Sequence, residues 1–215
     1  MIYSINIFKK VDKIFMTELV VSAAIGYGLG QLSPANLLSK IKHKDLRENG
    51  TGNLGGTNAM IVFGKVYGLI VIVLDVLKAF FAIKIAKAMF SKFVFAGLVA
   101  GCFAVIGHIF PFYMHFHGGK GVAAFSGMIL AFDIRAFVGL FLIAVTIMLV
   151  TNVGYYGPIS AAILFPLWVL IRTKSFLTFG CVAAIGGLVI YKHKENMSKR
   201  KQGKEISVNE FLTQK

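Results

Sequence analysis

Long apolar stretches recur along the 215-residue chain, and they constrain its fold more than any other feature. They cover residues 14–32, 60–83, 93–112, 122–132, 136–150, 158–171 and 176–191. A helix needs about 20 mostly apolar residues to cross the hydrocarbon core of a bilayer. With 57% hydrophobic and 15% charged residues, the chain is too apolar for an ordinary water-soluble domain. We therefore predict an all-α fold, a polytopic membrane helical bundle of about seven transmembrane or partial helices.

Two of these stretches, 122–132 and 158–171, are shorter than a comfortable membrane span. Each is interpreted as a half-helix, a helix extended by its flanks, or part of a longer broken span, so five, six or seven spans remain open. The first stretch has no small-x-small cleavage site at its end and is predicted to be a retained helix. A basic extension, residues 1–13, precedes it.

The formal net charge of +14 raises the question of nucleic acid, because Lys and Arg neutralise phosphates. The basic residues lie in short connecting segments and in the stretch 192–204, which is typical of contact with anionic lipid and of cytoplasmic loops. We therefore predict membrane lipid, and no nucleic acid, as a partner. The two cysteines and five histidines are scattered, and they predict no metal site and no cofactor.

Four polar segments interrupt the apolar pattern, at residues 40–58, 107–122, 151–158 and from 191 onward. If the chain has seven spans, two spans separate each polar segment from the next. All four segments then lie on the same side of the membrane, where the positive-inside bias predicts the cytoplasm.

The first polar segment contains "GTGNLGGTN", residues 50–58, whose start fits the G-x-G-x-x-G pattern of dinucleotide-binding folds. Charged residues, "KDLREN", precede it where that fold needs a buried strand, so a dinucleotide site is not predicted. Glycines also allow successive backbone N–H groups to surround an anion, and a helix starting near Met60 would point its positive end there. The alternative is a loop that permits close helix packing. The additional side-chain donors are Thr51, Asn53, Thr57 and Asn58.

The second polar segment contains "HGGKGV", in which three glycines flank Lys120. Its ammonium group can meet a phosphate as a point charge; the alternative is a lysine that extends to the membrane interface. Asp75 and Lys78 stand three residues apart inside an apolar stretch, where ionisable groups must pair or face a polar cavity. An ion pair is the favoured interpretation for them, with a catalytic role as the alternative.

The motifs "DLRENGTGNLGGTN", the Asp-x-x-Lys pair, "GHIFPFYMHFHGGKGVA" and "HKENMSKRKQGKE" occur in this order. Together they resemble the membrane-embedded bacterial acyl-phosphate:glycerol-3-phosphate acyltransferases, over residues 30–205. The resemblance implies a seven-helix inner-membrane enzyme that transfers a fatty acyl group from acyl phosphate to glycerol 3-phosphate. The products are lysophosphatidic acid and inorganic phosphate, in phospholipid biosynthesis. It also implies one membrane-embedded acyltransferase-like domain, residues 14–205, followed by a polar C-terminal tail, residues 206–215.

The resemblance further implies the site residues. The catalytic residues would be Lys120, Asn53 and His193. The substrate-binding residues would be Arg47, Thr51, Gly52, Thr57, Asn58, His108, Gly118, Gly119, Gly121, Asn196 and Arg200. Lys120 and the amides of residues 118–121 would bind phosphate and developing oxyanion charge, and His193 with Asn196 would hold glycerol phosphate. Either a substrate phosphate or His193 would take the hydroxyl proton.

The chain departs from the family's pattern at four positions. Ile61 replaces an arginine, Gly154 or Tyr155 a serine, Ala124 a threonine, and Thr51 a serine while keeping the hydroxyl. Two alternative functions follow from these departures and from the anion-binding loops. One is a divergent paralogue without this activity, and the other is a small membrane transporter or binding protein for a phosphorylated solute.

Overall fold

The computed structural model describes the backbone of residues 2–213 and the side chains of residues 14–213. Within this part of the chain all regular structure is helical. The helices are α1 (Ile2–Gly30), α2 (Pro34–Ile41), α3 (Gly56–Phe63), α4 (Lys65–Met89), α5 (Ala96–Ile109), α6 (Val122–Phe132), α7 (Ile134–Thr151), α8 (Tyr156–Thr173), α9 (Phe176–Lys192), α10 (Lys194–Lys201) and α11 (Val208–Thr213). The predicted basic extension, residues 1–13, lies outside the described side chains.

Six segments of the described chain are long and apolar enough to cross a membrane, and they contain α1, α4, α5, α7, α8 and α9. Helix α6 is equally apolar but has only 11 residues. The predicted all-α membrane bundle of about seven full or partial helices is thereby confirmed.

The apolar stretch 60–83, predicted as one segment, is broken at Gly64. This residue has a φ of 99°, which side chains disfavour, and it ends α3 before α4 begins at Lys65. Helix α4 then continues past the predicted end, to Met89. The break leaves α3 as a separate short helix whose N-terminus follows the first glycine loop directly.

Helices α1 and α5 cross closely because two glycines face α5. A Cβ atom on Gly26 would lie 2.2 Å from the carbonyl oxygen of Ala100, and one on Gly30 would lie 2.2 Å from that of Ala104. Without Cβ atoms, the two backbones pack directly on each other. This contact fixes the end of α5, from which the second glycine segment departs.

The core lies between α4, α5, α6, α7, α8 and α9, and Phe165 of α8 is its largest fully buried side chain. Asp133, at the end of α6, has an Oδ2 3.9 Å from Nε of Arg172 at the far end of α8. At a rise of about 1.5 Å per residue, the 18-residue α8 is about 27 Å long and the 11-residue α6 about 16 Å. The short α6 therefore packs along only part of the length of α8, where Phe125 and Phe132 contact Phe165.

Candidate active site

Residues of all four polar segments line one cavity of about 510 Å³ at the end of the bundle. Its polar lining includes Thr51, Asn53, Thr57, His108, Lys120, Gly121, His193 and Asn196. The structure therefore brings together segments that are more than 100 residues apart, as the alternation of spans predicted. All three residues predicted as catalytic are among them.

The first glycine loop is built around Asn58, whose side chain is fully buried. Its Nδ2 donates to the carbonyl oxygens of Leu46 (2.8 Å), Asn53 (2.9 Å) and Asn49 (3.0 Å), and its Oδ1 accepts from the Thr51 amide (2.7 Å). The amide of Asn58 is thus occupied by the loop and lies outside the cavity lining. In this structure Asn58 shapes the loop, and its predicted contact with substrate stays a prediction.

The N-terminus of α3 and the side chain of Asn53 remain available to a ligand. Gly55, Gly56 and Thr57 line the cavity, and no side chain caps this helix. Asn53 also lines the cavity, and its side chain makes no hydrogen bond within the described residues. Free amides and the positive end of the helix dipole make this a place for an anion.

The second glycine segment returns along the end of α5. The Gly118 amide donates to the carbonyl oxygen of Ile109 (3.0 Å) and the Gly119 amide to that of His108 (3.2 Å). These two amides, predicted to bind phosphate, are therefore occupied. The free amides lie one step further, at the N-terminus of α6, where Val122 and Ala123 line the cavity and no side chain caps the helix.

Lys120 connects this segment to the C-terminal motif. Its Nζ donates to Oδ1 of Asn196, whose Nδ2 donates to Oε1 of Glu205 at 2.6 Å. Burial lowers the pKa of Lys120, and the nearby carboxylates of Glu195 and Glu205 oppose that shift. The ammonium is thus partly desolvated, which strengthens its attraction for a phosphoryl oxygen.

His193 is buried at the end of α9, with 4% of its surface exposed. Its Nδ1 lies 2.8 Å from the carbonyl oxygen of Val189. A carbonyl only accepts, so Nδ1 carries the proton and Nε2 keeps its lone pair. Within the described residues Nε2 has no hydrogen-bond partner, and His193 lines the cavity. The arrangement suits a general base.

An apolar arm extends the cavity along one side of α7. It is lined there by Phe137, Leu140, Phe141, Ala144, Val145 and Met148, whose spacing repeats every three or four residues. Phe141 is 58% exposed, so the arm opens at the outer surface of the bundle. Such an arm fits a hydrocarbon chain.

Several predicted binding residues lie outside the cavity lining: Arg47, Gly52, Asn58, Gly118, Gly119 and Arg200. Arg47 is half exposed and pairs with Asp45, its Nη2 2.7 Å from Oδ2, and this guanidinium lowers the pKa of that carboxyl. Lys199, which sequence reasoning missed, reaches the first glycine loop instead of Arg200. Its Nζ lies 3.4 Å from the Thr51 carbonyl oxygen and 2.6 Å from Oε1 of Glu195.

The C-terminal segment also contributes to the site. Glu205, Ile206, Ser207, Val208 and Phe211 line the cavity, although residues 206–215 were predicted as a polar tail. The Asn209 amide donates to Oδ1 of Asn152 at 2.9 Å, which fixes the segment beside the end of α7. Only the apolar spacing of Val208 and Phe211 could have indicated this.

All four departures from the family's pattern can be placed. Thr51, Ile61, Gly154 and Tyr155 line the cavity, whereas Ala124 is buried outside its lining. A Cβ atom on Gly154 would meet nothing within 4 Å. Among the described residues no three His, Cys, Asp or Glu side chains cluster as a metal site would require.

Comparison with known proteins connects this site to a family. The family model described as glycerol-3-phosphate acyltransferase matches residues 20–203. A glycerol-3-phosphate acyltransferase of Coxiella burnetii is 36% identical over 193 residues, 88% of this chain and 97% of that protein. One of Legionella pneumophila (strain Corby) is 36% identical over 188 residues, 86% of this chain and 66% of that protein.

The fold is also shared with solved structures. PlsY (YgiH), described as an integral membrane glycerol 3-phosphate acyltransferase, superposes in its glycerol 3-phosphate form with a TM-score of 0.83 at 31% identity, over 91% of this chain and 99% of that one. Its lysophosphatidic acid form gives 0.81 at 30% identity, with the same coverage. This chain is accordingly a multi-pass membrane protein, and it belongs to the glycerol-3-phosphate acyltransferase family.

Proposed function

We propose that the protein transfers a fatty acyl group from acyl phosphate to a hydroxyl of glycerol 3-phosphate, releasing lysophosphatidic acid and inorganic phosphate for phospholipid biosynthesis. One observation carries the proposal. A single cavity joins a polar end, where Asn53, Lys120 and His193 meet, to an apolar arm along α7. A donor with a phosphate at one end and a hydrocarbon chain at the other matches both parts.

The phosphoryl groups of the two substrates would bind at the polar end. The Lys120 ammonium supplies a positive charge, and the α6 and α3 N-termini supply free backbone amides. Asn53 adds an uncommitted side-chain donor. These groups hold the acyl phosphate and stabilise the charge that develops on the carbonyl oxygen and on the departing phosphate.

The chemical step needs one proton acceptor. The hydroxyl oxygen of glycerol 3-phosphate attacks the acyl carbon, its proton passes to Nε2 of His193, and the carbon–oxygen bond to phosphate breaks. Phosphate leaves with the bonding electron pair and receives the proton from His193. Because acyl phosphate is already activated, alignment of the two substrates supplies much of the rate.

Lys199 compensates for the cation lost at Ile61. Ile61, on α3, is an apolar part of the cavity lining, but the Lys199 ammonium lies 3.4 Å from the Thr51 carbonyl oxygen of the first glycine loop. A lysine that also pairs with Glu195 is therefore present beside this loop. This supports activity in the chain rather than the divergent, inactive alternative.

The test is phosphate release from acyl phosphate by the purified full-length protein in lipid, with and without glycerol 3-phosphate. We expect acceptor-dependent release, about 10²–10³-fold slower in Lys120→Ala and unchanged in Lys84→Ala, whose exposed lysine lies on α4 away from the cavity. Solute flux into sealed vesicles without phosphate release would instead support a transporter. If neither solute flux nor phosphate release is found, the result supports the inactive paralogue.

We further propose that the site faces the cytoplasm of a bacterial inner membrane, because the segments around the cavity are rich in Lys and Arg. A Lys201→Cys variant tests this, since Lys201 is exposed at the end of α10. An impermeant thiol reagent should label it in inside-out vesicles and not in intact spheroplasts. Labelling from the outside would reverse the orientation.

A further inference from the structure

Three buried polar side chains form a cluster beneath the second glycine segment. Asp75 and Lys78 come from α4 and His108 from α5, and they are only 2%, 8% and 7% exposed. Ionisable groups inside a membrane bundle are costly unless they pair or serve the site. Asp75 and His108 both line the cavity, so the cluster belongs to the wall of the site.

Lys78 is surrounded by three atoms that carry lone pairs. Its Nζ lies 2.6 Å from the carbonyl oxygen of Leu32, 2.9 Å from Nδ1 of His108 and 2.7 Å from Oδ1 of Asp75. The contact with Asp75 is an ion pair rather than an aligned hydrogen bond. Nδ1 of His108 also lies 3.3 Å from Oδ1 of Asp75, but its shorter contact, 2.9 Å, is with the Lys78 ammonium, which has three donors and no lone pair. We therefore assign Nδ1 as the acceptor, and the ring proton of a neutral His108 is then on Nε2.

The Nε2 edge of His108 faces the second glycine segment. A Cβ atom on Gly119 would lie 2.3 Å from it. Within the described residues Nε2 has no hydrogen-bond partner, although it is the donor of this tautomer. A neutral donor therefore opens into the cavity beside Lys120 and the N-terminus of α6.

We propose that Lys78 and Asp75 are positioning residues that hold His108 in the Nε2–H form, so that it donates a hydrogen bond to a phosphoryl group in the cavity. The carboxylate of Asp75 keeps Lys78 charged, and the charged Lys78 keeps Nδ1 unprotonated. The role in turnover rests on the proposed function, whereas the tautomer does not.

Ring nitrogen NMR of the full-length protein in lipid nanodiscs tests the tautomer directly. With labelled histidine, the signals of His108 are those lost in His108→Gln. We expect an unprotonated Nδ1 and a protonated Nε2 in the native protein. Lys78→Met should shift His108 towards the Nδ1–H form, and the matched change Lys84→Met on the same helix should not. A protonated Nδ1 in the native protein would overturn the proposal, and this spectrum needs no variant that must fold.

Kinetics then separate positioning from mere packing. The amide of a glutamine places a donor near the position of Nε2, so His108→Gln should keep KM within about threefold. His108→Leu removes the donor and should raise KM about tenfold or more, the usual cost of a lost donor to a charged group. Separate KM values for acyl phosphate and for glycerol 3-phosphate identify which phosphoryl group is held. If neither KM rises in His108→Leu, the donor role is wrong.

A double-mutant cycle completes the test. If Lys78 acts through the ring of His108, adding Lys78→Met to His108→Gln should change KM little, because the tautomer no longer matters. Fully additive losses would mean that Lys78 has only a structural role. If the native protein shows no acceptor-dependent phosphate release, the proposed function fails. Inorganic phosphate is then titrated onto the labelled protein. A shift of the His108 Nε2 signal supports the donor role, and the absence of a shift overturns it.

Discussion

His193 and His108 line the same cavity, at the end of α9 and on α5 respectively, yet their neighbours prepare them for opposite tasks. Nδ1 of His193 faces the Val189 carbonyl oxygen and must carry the proton, which leaves Nε2 as an acceptor. Nδ1 of His108 lies closer to the Lys78 ammonium than to the Asp75 carboxylate, and in the proposed tautomer it accepts from Lys78, which leaves Nε2 as a donor. The atom next to the inner nitrogen thus decides whether the outer nitrogen takes a proton or gives a hydrogen bond.

The largest effect should come from removing the proposed proton acceptor, His193. His193→Ala removes the only ring that we assign to proton acceptance, and general-base catalysis typically contributes about 10²–10⁴ in rate. We expect kcat to fall by that order with a small change in KM, in contrast to the KM effect at His108. Initial rates of phosphate release at saturating substrates provide the measurement. Intact turnover in this variant would exclude His193 and leave a substrate phosphate as the acceptor.

Among the groups that donate hydrogen bonds to phosphate, Lys120 should give the largest loss of rate when it is replaced by alanine. Removing a preorganised donor to developing charge costs about 10²–10³ in rate, and the loss should appear in kcat/KM for both substrates. Lys120→Arg keeps the charge but not the single-point contact with Asn196, so it should recover part of the rate. Equal activity of the Ala and Arg variants would argue against a charge contact.

Alkaline pH should remove the contribution of the Lys120 charge. Burial lowers the pKa of Lys120, so its ammonium loses its proton at a lower pH than an exposed lysine, and phosphate binding weakens as pH rises towards that value. We expect kcat/KM to fall on the alkaline side, because the charge that binds phosphate and stabilises the transition state is lost. The same alkaline fall in Lys120→Gln would assign the titration to another group.

The smallest effect concerns the cation beside the first glycine loop. Lys199→Met should raise KM about threefold, because Lys199 is more than a third exposed and solvent screens its charge. Arg200→Met should have a smaller effect, since Lys199 and not Arg200 is hydrogen bonded to this loop, and Lys201→Met on the exposed end of α10 serves as the control. A larger loss in Arg200→Met would restore the assignment that the motif alone suggested.

The sequence was sufficient for the architecture and for the meeting of distant segments. Apolar length identified the spans, and their alternation placed Asn53, Lys120 and His193 at one end of the bundle, where they line one cavity. The bounds of α6, Val122–Phe132, coincide with a predicted stretch. The break at Gly64 was missed because the residues on both sides are apolar, and only backbone geometry distinguishes a hinge from a packing glycine.

The detailed roles could not be predicted in the same way. Motif letters show which groups are able to bind an anion, but not which are already occupied. Asn58 and the amides of Gly118 and Gly119 all resemble phosphate ligands in the sequence, and all three are occupied by neighbouring backbone. The tautomers of His108 and His193 depend on Lys78 and on the Val189 carbonyl, contacts that appear only after packing.

The shortness of α6 has a consequence for how the two substrates meet. Its 11 residues are too few to cross a bilayer, so its N-terminus lies inside the bundle, where it and the apolar arm along α7 line the same cavity. Under the proposed function, the donor keeps its hydrocarbon chain in the arm while its phosphoryl end meets the polar groups. The water-soluble acceptor then has to enter only the polar end of the cavity.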